Sequence, residues 1–287
     1  MANYSSHIIM AEKLYIKLKN KNIVDKEYMK LFSCGQDLIF LNYHYFKEAH
    51  TNNSRKFFIN TIKYIKNNNL ENNKLIMSYL YGHIAHYAFD ITIHPFIGEI
   101  INEIKSKSFI KPHTYLECEF DKHLINKYGS INYSFFNKKV INDKTLFNMI
   151  NTTYRITYGF SGVSSLYKAY ITLLNRLTNG VSKMYKCKYL LKRISRINSY
   201  DNNSTFIKYM RSSKLLKKSN MNNIFNCSIK LSLNIINTVD DYLYNNKDIN
   251  VLYKVFDDTP YDIGVIKNVE YNYNKIPLKY KLPLQIK

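Results

Sequence analysis

Apolar residues recur three and four positions apart along most of this chain, and the strict alternation of a half-buried strand is scarce. The stretches Ile8 to Leu18, Phe57 to Ile65, Lys74 to His94 and His113 to Lys127 each carry helical spacing, and in the last of them Leu116, Phe120 and Leu124 form one stripe. The second half repeats the pattern at Ser161 to Leu177, Ser182 to Ile197, Thr205 to Lys218 and Ile224 to Tyr244. Polar residues at Asn198 to Ser204 and Lys218 to Asn223 predict loops between these segments. After Asn246 the spacing fades and Tyr and Pro enter. The pattern therefore predicts an all-α fold, with a single multi-helix domain over residues 1–246 and an extended C-terminal tail over 247–287 lying across it. No internal repeat is present.

Two prolines sharpen the boundaries. The residue before a proline is biased away from helical geometry, so the helix that starts near Lys74 is expected to end at His94, just before Pro95. Pro112 suits the opening turn of a helix, which places His113 and Glu117 on the first turns of the next one.

A length of 287 residues with 46% apolar content supports a substantial core. No apolar run is long enough to span a bilayer, and no charged and apolar leader opens the chain. Four cysteines are widely spaced without a CxxC pair, which fits reduced thiols in the cytoplasm better than a disulfide framework. The formal charge of +21 invites a nucleic-acid or anionic-membrane partner. Most of that excess is Lys, accompanied by much Asn, Ile and Tyr, a bias that an AT-rich genome imposes equally well. Charge alone thus leaves lipid and nucleic acid both open. The basic stretch Lys183 to Arg196 shares this ambiguity: it suits a membrane-surface helix, or a packed helix with a solvated Lys face. No phosphate-binding G-x-x-x-x-G-K-[ST] loop appears.

The histidines change the picture. All eight lie within the first 123 residues, and several stand four positions from a carboxylate: His86 from Asp90, Asp90 from His94, His113 from Glu117. Residues so spaced on a helix are neighbours on one face and can grip one ion. His86 and His94, eight apart, are separated by about 12 Å along a helix, too far to share a zinc at bond lengths of about 2.0–2.1 Å. Asp90 sits midway, and its two oxygens can bridge. With His7 near the start, Asp37 in the Gly-containing stretch Ser33 to Phe40 and His50 before a polar turn, the ordered set is His7, Asp37, His50, His86, Asp90, His94, His113, Glu117. A lone buried histidine is ordinarily a hydrogen-bonded structural residue. A co-occurring set of this kind points instead to a metal cluster. His83, within about 20° of Asp90 around the helix but two turns away, is expected in the core or as an outer hydrogen-bond partner. His44, Glu119, Asp121 and His123 are expected off the metals.

This order resembles that of the zinc-dependent phospholipase C family, all-helical proteins of the phospholipase C/P1 nuclease type that hold three zinc ions through His, Asp, His, HxxxD, His and HxxxE. The matching motifs are His86 to Asp90 (HYAFD), His94-Pro95 and His113 to Glu117 (HTYLE), and the resemblance covers residues 1 to about 125, closest to a little-characterised bacterial branch. It implies one zinc on Asp37, His50, His86 and Asp90, a second on His94, His113 and Glu117, and a third on His7 and the other oxygen of Asp90. In secreted members the third ion is also bound by a terminal Trp. This chain has none, and removal of Met1 would offer the Ala2 amine instead. Two or three bound zinc ions are therefore expected. The resemblance further implies hydrolysis of a phospholipid to diacylglycerol and a phosphorylated head group. Asp37 would serve either to orient or deprotonate the attacking water or purely as a ligand. The alternatives are a P1-type single-strand nuclease, whose list ends in HxxxD rather than HxxxE, and a non-catalytic zinc-stabilised binding module.

Overall fold

The computed structural model describes residues 4–103, 110–129, 131, 143–181, 218–256, 258 and 261. Among these, every regular element is helical: α1 (Tyr4–Lys17), α2 (Lys26–Phe32), α3 (Tyr43–Thr51), α4 (Ser54–Asn67), α5 (Lys74–Glu103), α6 (Ile110–Tyr128), α7 (Lys144–Tyr158), α8 (Val163–Val181), α9 (Lys218–Tyr244) and α10 (Asn250–Val255). Short 3-10 turns at Lys21–Ile23 and Gly35–Ile39 join the early helices.

Helix α5 is the axis of the molecule. Its residues Ile76 to Gly98 are buried on every face, as a helix that is apolar all round must be. Asn73 starts it by accepting from the Leu75 and Ile76 amides at 3.0 and 3.2 Å. Helices α1, α2, α6 and α9 pack around it. On the α2 side Gly82 makes the close approach, since a Cβ there would meet the Phe32 carbonyl carbon at 2.7 Å and the Met29 oxygen at 2.8 Å. Helices α7 and α8 stand further out, α7 against α4 and α8 against the Gly35–Ile39 turn. Asp143 caps the start of α7 through the Leu146 amide at 2.7 Å, and Gly159, at φ +77°, ends it in a left-handed conformation.

Three sequence expectations need correction. Helix α5 does not end at His94 but continues through Pro95 to Glu103. An interior proline costs about 3 kcal/mol, and the burial of Ile91, Ile93, Phe96, Ile97 and Ile100 around it, each able to contribute about 1.5–3 kcal/mol, outweighs that cost. The expected loop Lys218 to Asn223 is the first part of α9. There Met221 is buried, and the Asn222 side chain accepts from His123 Nε2 at 2.9 Å and Lys127 Nζ at 2.7 Å, which fastens α9 to α6. Residues Asn250–Val255, expected in an extended tail, form α10 against α4 and α9. The expected helix Ser182 to Ile197, the expected helix Thr205 to Lys218 up to its last residue, the loop between them and the basic stretch Lys183 to Arg196 lie outside the described residues. No helix is long and apolar enough to cross a membrane among the described residues.

Candidate metal centre

Five elements carry the expected ligands to one region. Helix α1 brings His7, the Gly35–Ile39 turn brings Asp37, α3 brings His50, α5 brings His86, Asp90 and His94, and α6 brings His113 and Glu117. All but His113 are buried, and His113 is mostly so. Among the described residues their ligand atoms gather in three sets: His7, His86 and Asp90; Asp37, His50 and His86; His94, His113 and Glu117. Asp90 thus groups with His7 and His86, and the Asp37 set closes without it. The expected four-ligand group divides at His86, which belongs to both sets. An imidazole nitrogen serves one ion, so these two sets form one continuous field of donors.

The protonation pattern says what this field wants. His86 Nδ1 donates to the Ser33 carbonyl at 3.1 Å, His50 Nδ1 to the Phe46 carbonyl at 2.7 Å, and His94 Nδ1 to the Tyr261 carbonyl. In a neutral ring each bond fixes the tautomer and places the remaining lone pair on Nε2. His86 Nε2 faces Asp90 Oδ2 and His50 Nε2 faces Asp37 Oδ1, both at 3.2 Å, while His94 Nε2 stands 3.5 Å from Glu117 Oε1. His7 Nε2 stands 3.3 Å from the other Asp90 oxygen, Oδ1. Burial, reinforced by the neighbouring His7 and His50, holds His86 well below the ordinary imidazole range. Burial likewise takes His7 down to about 4. At neutral pH His86 is therefore uncharged, and with its one proton on Nδ1 its Nε2 lone pair confronts the Asp90 oxygen across the gap. A cation resolves the conflict. His7 Nδ1, Asp37 Oδ2 and His86 Nε2 are also buried without a hydrogen-bond partner, a cost of about 1–3 kcal/mol each if nothing binds them.

The third set differs in charge. Burial tends to raise the Glu117 carboxyl, but His113, 2.8 Å away, and His94 together hold it well below the usual carboxylate range, ready to ligate as the anion. Nitrogen and carboxylate donors in threes, with outer bonds fixing the rings, fit zinc in a site that keeps a position open.

Local packing explains how the ligands are held. Gly35 sits at φ +51°, and a Cβ there would lie 2.3 Å from the His86 ring, so glycine alone lets the Asp37 turn close on α5. The His7 and His86 rings stack at 4.4 Å. Asp121, expected off the metals as a solvated or outer residue, is buried and accepts from the Ser6 amide at 2.8 Å and from the Ser6 hydroxyl, which anchors the first turn of α1 beside His7. Its carboxyl is pushed by burial up to about 7.

A model of the family described as zinc-dependent phospholipase C matches residues 6–160. The chain belongs to the zinc-dependent phospholipase C family. The match runs past the His113-to-Glu117 motif and takes in α7, which the sequence resemblance did not reach. No curated protein and no solved structure matches the chain.

The remaining histidines lie off the phospholipase-type ligand sets. His83 uses both nitrogens, Nδ1 to the Tyr79 carbonyl at 3.0 Å and Nε2 to the Tyr167 hydroxyl at 2.8 Å. His44 is exposed, and His123 binds Asn222. Glu119 pairs with Lys122 at 2.8 Å. Ala2 lies outside the described residues. Sequence reasoning missed Gln36 and Tyr261, neither of which left a signal; Asp121 lies off the ligand sets as expected and supports the turn that carries His7.

Proposed function

We propose that this chain hydrolyses phospholipids between glycerol and phosphate, giving diacylglycerol and a phosphorylated head group. The observation that carries the reading is the third set, in which the glutamate of the HxxxE motif, Glu117, meets His113 and His94 within a chain of the phospholipase C family. In this reading Asp37, His50 and His86, with Asp90, would hold one zinc, His94, His113 and Glu117 would hold a second, and His7, Asp90 and the Ala2 amine would serve a third. Zinc, when bound, supplies Lewis-acid charge against the phosphate oxygens and activates water near neutral pH.

The protein's own groups do the rest. Asp37 presents Oδ1 to His50 and has no hydrogen-bond partner at Oδ2, so Oδ2 would take the proton of the attacking water as the water oxygen bonds to phosphorus, and would return it to the glycerol oxygen as the phosphorus–glycerol bond breaks. The hydrogen bonds of His50, His86 and His94 to backbone carbonyls keep their rings from turning during that exchange. Peripheral contact with anionic lipid follows from the Lys excess.

A paired assay tests the reading. Zinc-loaded protein is expected to release diacylglycerol from phosphatidylcholine vesicles, faster when an anionic phospholipid is added and slower as salt rises. Cleavage of single-stranded DNA or RNA without lipid product would replace the reading with the nuclease one, and retention of zinc with neither activity would mark a binding module.

A further inference from the structure

Tyr261 lies well beyond the family-matching segment, yet it touches His50, His86 and His94 of the candidate metal centre. Its amide donates to the His50 carbonyl at 2.8 Å, and its carbonyl accepts from His94 Nδ1. Its ring is fully buried against His50, His86 and Tyr87, with centroids at 5.5, 5.6 and 5.2 Å. One residue therefore binds the backbone end of the Asp37 set and the ring of a ligand in the Glu117 set.

Its hydroxyl meets a buried hydrogen-bonded cluster that runs from His83 Nε2 to the Tyr167 hydroxyl, on to the Tyr154 hydroxyl at 3.0 Å, and then to the Gln36 side chain. The Tyr154 hydroxyl donates to the Gln36 side-chain oxygen, which leaves the Gln36 amide nitrogen to donate toward the Tyr261 hydroxyl, with which Gln36 interacts. Gln36 Nε2 and Tyr261 OH are two buried atoms that otherwise lack a hydrogen-bond partner.

We infer that Tyr261 is a positioning residue that holds His50, His94 and the Asp37-bearing turn in register for zinc. The inference rests on the zinc reading above. Its test uses the full-length protein with Tyr261→Phe, Tyr261→Ala and, as a control, Tyr81→Phe, whose hydroxyl bonds Asp240. Zinc affinity is measured by chelator competition, and ligand geometry by the visible absorption of the cobalt-substituted protein. Loss of such an outer partner typically costs about 10–100-fold in metal affinity. Tyr261→Ala is expected in that range, and Tyr261→Phe at about its lower end, both with altered cobalt bands. Tyr81→Phe should lower the melting temperature while leaving affinity and bands unchanged. If Tyr261→Ala does not fold, Tyr261→Phe decides alone. Wild-type affinity and bands in Tyr261→Phe would overturn the inference and leave the zinc reading standing, whereas absence of zinc from the wild type would overturn both.

Discussion

Asp90→Asn is expected to cost the protein at least one zinc ion and most of its hydrolytic activity. Its carboxylate divides between two histidines, Oδ1 to His7 and Oδ2 to His86, and an amide keeps the shape while replacing one oxygen with a nitrogen that cannot ligate. Removing an outer partner already costs about 10–100-fold in affinity or activity, so loss of a bridging ligand should cost roughly 100-fold or more. In the metal-free state the sign reverses. There Asp90 is a buried carboxylate facing uncharged imidazoles, so the variant should be at least as stable as the wild type. Metal analysis, turnover and urea unfolding of the chelated proteins check the three parts. His44→Ala and His123→Ala should keep zinc and activity, and equal losses at all three positions would refute the assignment.

Zinc removal is expected to lower the melting temperature more than any surface substitution. A ligand that binds only the folded state at 100 times its dissociation constant contributes about 2.7 kcal/mol per site. Two such sites correspond to about 10–20 °C in a chain of this size. The metal-free protein should also become acid-sensitive. Burial holds His7 and His83 at about 4 and about 3, below the ordinary value of 6.5, so the unfolded chain takes up protons that the fold refuses. Their contribution is complete above pH 6.5 and is lost as pH falls toward those values, by up to about 1.4 kcal/mol per pH unit for each ring. Differential scanning of loaded and chelated protein across that range tests both effects, and a melting temperature indifferent to chelator would contradict them.

The pairing of the candidate ligands was legible in sequence because its constraint is local. His86 with Asp90 and His113 with Glu117 stand four apart on single helices, and that spacing alone sets two side chains side by side. Their burial followed from the apolar residues interleaved with them. Helix ends were less legible. Pro95 carries a strong local rule, but the apolar neighbours that override it act through α5's burial by other helices. Lys218 to Asn223 looked like a loop because its anchoring partners, His123 and Lys127, lie on α6. Tyr261 was beyond reach for the same reason in stronger form, since its bonds to His50 and His94 use backbone atoms, which every residue has.

The central claim is that this donor field is a zinc cluster and not a set of structural histidines. Elemental analysis of the full-length protein, purified with zinc and freed of excess by gel filtration, tests it most directly. Three sets of donors, two of them sharing His86, predict two or three zinc ions per chain; one ion or none would contradict the account.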